Sequence, residues 1–216
     1  MIDESFWRGR RVCVTGHTGF KGAWLSLWLQ ALGAEVTGIS DRVPTEPSLY
    51  ELARIGERMA AEATADIRDR AAIADAVSGA RPEVLVHMAA QPLVRPSFAD
   101  PHETFEVNVI GTVNVLEAAR QASGLRVAIV VTSDKCYENT GLVRGYREDD
   151  PMGGHDPYSA SKGAAELVVS SYRRSFFSDT DTATGTDVPG GTALASARAG
   201  NVIGGGDWAP ERLIPD

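Results

Sequence analysis

Val12-Cys-Val-Thr-Gly-His-Thr-Gly-Phe-Lys-Gly22 decides how the rest of the chain is read. Val12 to Val14 is a short apolar run of the kind that forms a buried strand, and it breaks at Gly16. Glycines recur at Gly19 and Gly22, and an apolar helical pattern follows through Ala23, Leu25, Leu27, Trp28, Leu29 and Leu32. The order is strand, glycine turn, helix. Gly16 lets the chain reverse tightly, Gly19 leaves bare backbone where a pyrophosphate would approach, and Gly22 lets the helix pack close to the strand. Phe20 lies in the same turn, on the expected cofactor side. Amides at the helix start would face the negative phosphate pair. The first gap is one residue longer than in the common dinucleotide fingerprint. The spacing therefore also fits a plain glycine-rich turn, and motifs further along favour the first reading.

Outward from this stretch, apolar runs alternate with helical patterns. Strands are expected at about Arg11 to Thr15, Glu35 to Ser40, Ala60 to Ala65, Glu83 to Met88, Arg126 to Thr132 and Ala193 to Ala199. Helices are expected from Gly19 to Leu32, stopped by Gly33, and from Leu49 to Ile55, Arg70 to Val77, Pro101 to Ala122 and Pro157 to Phe177. In the Pro101 helix, Phe105, Val109, Val113 and Leu116 fall on one face. The segment Ser178 to Thr192 is rich in Ser, Thr, Asp and Gly and reads as an exposed loop. The strands are continuously apolar, as when helices cover both sheet faces. This is an α/β chain with a doubly wound parallel (Rossmann) sheet, its ligand crevice at the strands' C-terminal ends. No repeat shows at solenoid periods.

Composition narrows the function classes. The 216 residues are 43% hydrophobic, enough for a substantial core, and the net charge of −8 argues against a nucleic-acid-binding surface. No apolar run reaches the length of a membrane span, and the acidic N-terminus lacks the apolar core of a secretory signal. Two cysteines, Cys13 and Cys136, without CxxC spacing give neither a disulfide framework nor a metal site. A reducing cytoplasm fits.

Candidate site residues cluster at strand ends. Asp41, ~20 residues past the fingerprint, is placed to bind ribose hydroxyls, while the neighbouring Arg42 would instead meet a 2′-phosphate. Asp66 could accept from an adenine amino group with the Ile67 amide beside it, or cap the Arg70 helix; both can hold. Ala89, Ala90 and Gln91 offer a flat surface after the fourth strand. Asn108 is a polar residue in an apolar stripe and fits a bond to neighbouring backbone. Tyr158 and Lys162 are four apart and so share a helical face. A tyrosine ionises near pH 10, and a nearby ammonium favours its phenolate. The phenolate can then take a proton from an alcohol as carbon gives up hydride. Ser133, Asp134 and Lys135 end the fifth strand. A plain dehydrogenase needs only the hydroxyl, so the extra acid and ammonium point to extra proton transfers, unless they simply face solvent in a turn.

With these motifs together the chain resembles the extended short-chain dehydrogenase/reductases (the NAD-dependent epimerase/dehydratases), and within them the 4,6-dehydratases of CDP-glucose. The resemblance rests on Gly16 to Gly22, His87 to Arg95, Thr132 to Tyr137, Pro151 to Gly154, Tyr158 to Lys162, and Arg198 to Trp208. It implies NAD as cofactor, CDP-glucose as substrate, deoxysugar and O-antigen biosynthesis as setting, and net dehydration to CDP-4-keto-6-deoxyglucose by hydride transfer from C4 to C6. Tyr158, helped by Ser133 and Lys162, would deprotonate the 4-hydroxyl, and Asp134 would protonate the leaving O6. Lys135 stands where related dTDP- and GDP-sugar enzymes carry a glutamate that acts as C5 base. A lysine could serve only if burial or nearby cations lowered its pKa. Arg95 and Ser97 would line the sugar pocket and Asn201 would lie near the substrate diphosphate.

The resemblance also implies a smaller C-terminal substrate-capping domain, which is expected to be absent. Residues 1–208 are read as the dinucleotide-binding domain and 209–216 as the start of a truncated substrate domain. A homo-oligomer is expected through the two long helices, whose outer apolar residues would otherwise be exposed. A 4-epimerase of the same family, or a cofactor-binding module without turnover, are the competing readings.

Overall fold

The computed structural model describes residues 3–141, 143–177 and 191–210. The loop expected at 178–192 and the boundary at 209–216 lie almost wholly outside them. A short helix α1 (Glu4–Trp7), absent from the sequence reading, precedes β1 (Arg11–Thr15). Then come α2 (Phe20–Ala31), β2 (Glu35–Ser40), α3 (Leu49–Leu52), β3 (Ala61–Thr64), α4 (Arg70–Ala80) and β4 (Val84–His87). Two short helices follow, α5 (Val94–Ala99) and α6 (Pro101–Phe105), and α6 runs through a π-helical turn at Glu106–Ile110 into α7 (Gly111–Gln121). β5 (Val127–Val131), a 3-10 turn at Asp134–Cys136, α8 (Pro157–Phe176) and β6 (Ala193–Ala197) complete the order.

Among the described residues the six strands are all parallel, in the order β3-β2-β1-β4-β5-β6. The order reverses between β1 and β4, where a doubly wound sheet opens its crevice. Thr15 at the end of β1 pairs with Ile39 on one side and His87 on the other, so the C-terminal ends of β1, β2 and β4 lie level.

The two sheet faces bury separate clusters. Val12, Val14, Val36, Val84 and Val86 pack with Leu29 of α2. Cys13, Leu85, Ala128 and Val130 face the other way, against Ile73 and Val77 of α4, Val115 and Leu116 of α7, and Val169 of α8. Successive side chains on a strand point to opposite faces, so continuous burial of Val12, Cys13 and Val14 requires both layers. Each such aliphatic side chain contributes roughly 1.5–3 kcal/mol. β3 departs from the pattern. It is an edge strand, largely exposed, and its Ala-Glu-Ala-Thr sequence is correspondingly not apolar.

The long helix expected over Pro101 to Ala122 needs a correction. The π turn adds a residue to one helical turn and rotates the apolar stripe. Thr104, Asn108, Thr112, Val115 and Leu116 face inward, whereas Phe105 is exposed and Val109 and Val113 are half-buried. Gly111 sits where a Cβ would strike the Ile67 side chain, so α7 nests on Ile67.

Candidate active site

The glycine turn is held from all sides. Gly16 has φ +75°, and a Cβ there would lie 2.7 Å from the Ala89 amide nitrogen, so the turn abuts the chain leaving β4. A Cβ on Gly22 would collide with the Gly16 carbonyl oxygen, which is why the first turn of α2 can rest on the loop. Gly19 is the N-cap of α2, and a Cβ there would meet only the Gly16 oxygen, at 3.4 Å. The result is a side-chain-free cradle at a helix N-terminus, which fits a diphosphate. His17, inside the turn, is buried. Its Nε2 is 2.7 Å from Glu62 Oε1, its Nδ1 3.0 Å from Ser40 Oγ, and its ring stands edge-on to Tyr50. Gly38 leaves room for that ring. Thr18 donates to the Arg42 carbonyl at 2.6 Å, tying the turn to the loop after β2.

Asp41 lies on that loop, exposed, with Arg42 Nη1 3.5 Å away. Asp66 accepts from Arg68 through the backbone amide (2.8 Å) and the guanidinium (2.6 Å), and these bonds hold its carboxyl below the usual range. It does not cap the Arg70 helix. The cap is Asp69, whose Oδ1 accepts from the Ala71 and Ala72 amides, both at 3.0 Å. Ile67 is fixed by Gly111 and by Asn114, whose Nδ2 donates to its carbonyl at 2.9 Å.

Below the crevice runs a buried polar row. His87 Nδ1 is 2.7 Å from Thr15 Oγ1, and its Nε2 is 3.2 Å from Thr112 Oγ1. Burial, then Lys162, pushes the imidazole down to about 3, so it is neutral. Asn108 bonds backbone, as expected: its Oδ1 accepts from the Gln91 amide and its Nδ2 donates to the Gln91 carbonyl. It also donates to Ser161 Oγ, which joins the loop after β4 to α8.

α8 begins at Asp156, which accepts from the Ser159 amide, with Pro157 in the first position. In the first turn Tyr158 is half-buried, and one turn further on Lys162 is buried. Burial lowers the Lys162 pKa to about 8, Lys21 adds to the fall and Glu166 opposes it. α8 packs against the 3-10 turn that carries Asp134 and Lys135. Ser133 Oγ donates to Asp134 Oδ1 at 3.2 Å and accepts from the Lys135 amide at 3.2 Å. Ser133 is buried, Asp134 half-buried and Lys135 exposed. Of the two conditions set for a lysine base at position 135, burial and nearby cations, the first is therefore not met.

Ser97 also departs from expectation. It is fully buried, donates to the Val94 carbonyl at 2.6 Å and accepts from the Tyr158 amide at 3.1 Å. It supports the backbone of Tyr158 and does not line a sugar pocket. Arg95, two residues earlier, is exposed. Asn201 is exposed on a loop that returns to α2: Trp24 Nε1 donates to the Gly205 carbonyl at 2.9 Å, and Gly204 abuts the Phe20 ring. A cleft of about 1020 Å³ beside β6 is lined by Asp134, Tyr137, Met152, Leu167 and Arg198, among others. It shares Asp134 with the site but none of the glycine turn.

Among the described residues no cluster of three or more His, Cys, Asp or Glu could hold a metal ion, and no helix is long and apolar enough to cross a membrane. The sheet order, the glycine cradle and the Tyr158–Lys162 helix define a Rossmann-type domain of the short-chain dehydrogenase/reductase kind. The profile of the GDP-mannose 4,6 dehydratase family matches residues 13–182. A CDP-glucose 4,6-dehydratase of Salmonella typhimurium is 53% identical over 216 residues, covering 100% of this chain and 58% of that protein. A UDP-glucose 4-epimerase of Mycolicibacterium smegmatis is 35% identical over 163 residues, 76% of this chain and 51% of that protein. A crystal structure of a dTDP-glucose 4,6-dehydratase from Streptomyces venezuelae with NAD bound superposes with a TM-score of 0.77 at 27% identity, covering 95% of this chain and 60% of that one. The chain belongs to the GDP-mannose 4,6-dehydratase family, among the extended short-chain dehydrogenase/reductases. It spans a little over half the length of the relatives it matches.

Proposed function

We propose that this chain carries the cofactor-binding and catalytic residues of a 4,6-dehydratase that converts CDP-glucose to CDP-4-keto-6-deoxyglucose. The observation that carries the reading is the packing of the Ser133-Asp134 turn against the Tyr158–Lys162 helix. That packing brings the turn bearing Asp134 onto the helix that carries Tyr158 and Lys162, and alcohol oxidation alone would not need its acid. The 53% identity to the Salmonella enzyme supports CDP-glucose in particular.

The cofactor would be NAD, held by the Gly16–Gly22 cradle, Asp41, Asp66–Ile67 and the Ala89–Gln91 segment. When bound, NAD supplies a reversible acceptor for the C4 hydride, which is returned at C6. Tyr158 removes the proton from the 4-hydroxyl, and Ser133 hydrogen-bonds the same oxygen and orients it. Lys162 offsets the charge of the phenolate. The 4-ketone makes the C5 proton acidic; Lys135, the candidate base, takes that proton, Asp134 donates one to O6 as water leaves across C5 and C6, and C5 regains a proton as hydride returns to C6. Asn201 would meet the substrate diphosphate and Arg95 the sugar. Ile110 of the π turn and Leu167 and Phe176 of α8 are exposed, and a second copy of the chain covering these helices would make a homo-oligomer. A cytoplasmic setting suits a pool of nucleotide sugars.

The test is incubation with NAD and CDP-glucose, reading the alkaline absorbance of the 4-keto-6-deoxy product, with dTDP-, GDP- and UDP-glucose as controls. Product from CDP-glucose alone supports the reading. NAD binding without product from any of them supports a cofactor-binding module. The similarity to a UDP-glucose 4-epimerase favours one alternative chemistry; an epimerase would invert C4 and release no water.

A further inference from the structure

Glu166 lies one helical turn beyond Lys162 and two beyond Tyr158, and its side chain is only 4% exposed. A buried carboxylate is costly unless its oxygens are satisfied. Here one oxygen accepts from Thr132 Oγ1, and the other accepts from Ser196 Oγ (2.8 Å) and Arg198 Nη2 (2.9 Å). Burial works to raise its pKa, but the bonds from Arg198, Thr132 and Ser196 outweigh it, and the group stays ionised. Each partner belongs to a different part of the site. Thr132 directly precedes Ser133 and Asp134. Ser196 is on β6. Arg198 opens the Arg198–Trp208 loop and donates to Tyr137 Oη at 2.7 Å and the Glu148 carbonyl at 3.0 Å.

We propose that Glu166 is a positioning residue, joining the ends of β5 and β6 to α8 and thereby setting Ser133 and Asp134 against Tyr158 and Lys162. This rests on the dehydratase reading given above. Tyr158 and Ser133 must reach one sugar hydroxyl together, yet they sit on separate elements. Misplacement by about 1 Å costs such a pair ~100-fold in rate. The titratable groups that act on Lys162 are Lys21 from the first turn of α2, His87 from β4, which is neutral, and Glu166 on its own helix. Glu166 thus also opposes the fall in the Lys162 pKa, by less than burial and Lys21 produce it.

The test compares Glu166→Gln, Thr132→Val and Thr132→Ser with the wild type in the full chain loaded with NAD. Thr132→Val takes one bond from the joint and leaves the carboxylate paired with Arg198, so it guards against a Glu166→Gln variant that fails to fold. Both are expected to lower kcat about 10- to 100-fold with KM nearly unchanged. NAD affinity should be retained, and the primary isotope effect with CDP-[4-²H]glucose should rise as oxidation at C4 becomes limiting. Thr132→Ser should restore the rate. Glu166→Gln alone should move the alkaline limb of the pH profile to lower pH. Rates that fall only in proportion to the folded fraction, with the isotope effect and pH profile unmoved, would overturn the assignment while leaving the dehydratase intact. A wild-type enzyme that does not dehydrate CDP-glucose would overturn the functional reading and this inference with it.

Discussion

Gly19→Ala separates binding from folding. The Gly19 backbone is extended, φ −73° and ψ 162°, a conformation open to any residue. Its added Cβ would meet only the Gly16 oxygen, at 3.4 Å. The fold loses little beyond an N-cap preference of about 0.5–1 kcal/mol. At 2–4 °C per kcal/mol for a chain of this size, Tm should fall by no more than about 4 °C. The methyl group would, however, occupy the ground where the account lays the cofactor diphosphate. If overpacking there costs about 1–3 kcal/mol, NAD affinity drops roughly 5- to 150-fold. Gly22→Ala is the contrast. Its Cβ would press into the Gly16 carbonyl, so the same cost of about 1–3 kcal/mol falls on the fold, and Tm drops by about 2–12 °C. Titration calorimetry with NAD and thermal unfolding of the apo proteins read both quantities. A Gly19→Ala variant that binds NAD as tightly as the wild type would refute the placement of the diphosphate. One that unfolds as readily as Gly22→Ala would refute the geometry of the turn.

Other outcomes follow from the same structure. Asp134→Asn should abolish dehydration while sparing NAD binding and the fold; a variant with wild-type turnover points to the epimerase. Lys162 has its pKa lowered from 10.5 to about 8 by burial first and Lys21 second, so the folded chain binds fewer protons than the unfolded chain between those values. Stability therefore rises as pH goes from about 8 to 10.5, and the cost of the buried cation is fully present below 8. Lys162→Met should stop turnover yet stabilise the fold at pH 7 by up to about 3 kcal/mol, a gain that shrinks above pH 8; urea unfolding at pH 7 and pH 10 reads it, and a variant less stable at pH 7 contradicts it. Asp69→Ala, which removes the cap of α4, should cost about 1 kcal/mol in a thermal melt and leave NAD affinity alone, because Asp66 and not Asp69 is the residue proposed to hold the cofactor.

Much of the scaffold was legible because burial on both faces writes itself into sequence. The ranges of β1 and β2 match the expected ones residue for residue, since an apolar run broken by glycine or charge has little other use. The Tyr158–Lys162 pair shares a helical face by spacing alone. Long-range side-chain joints left no such mark. Glu166 looks like an ordinary charge on a helix, because its partners Thr132 and Ser196 lie 34 and 30 residues away. Its i+4 spacing from Lys162, which puts it on the same helical face, was the available signal. Ser97 was misread because its bond to the Tyr158 amide spans 61 residues. The four residues read as one face of the Pro101 helix differ in burial because a π turn breaks the 3.6-residue period and no residue type announces it. Asp66 and Asp69 are both plausible caps three residues apart, and only backbone geometry chooses between them.

An internal hydride transfer, from C4 to C6, is what sets the proposed dehydratase apart from a plain dehydrogenase or an epimerase. Incubating the NAD-loaded protein with CDP-[4-²H]glucose and examining the product by mass spectrometry and NMR tests it most directly. Deuterium recovered at C6 of a 4-keto-6-deoxy product is the predicted result. Deuterium retained at C4 of an unreacted or C4-inverted sugar, with no loss of water, would contradict it.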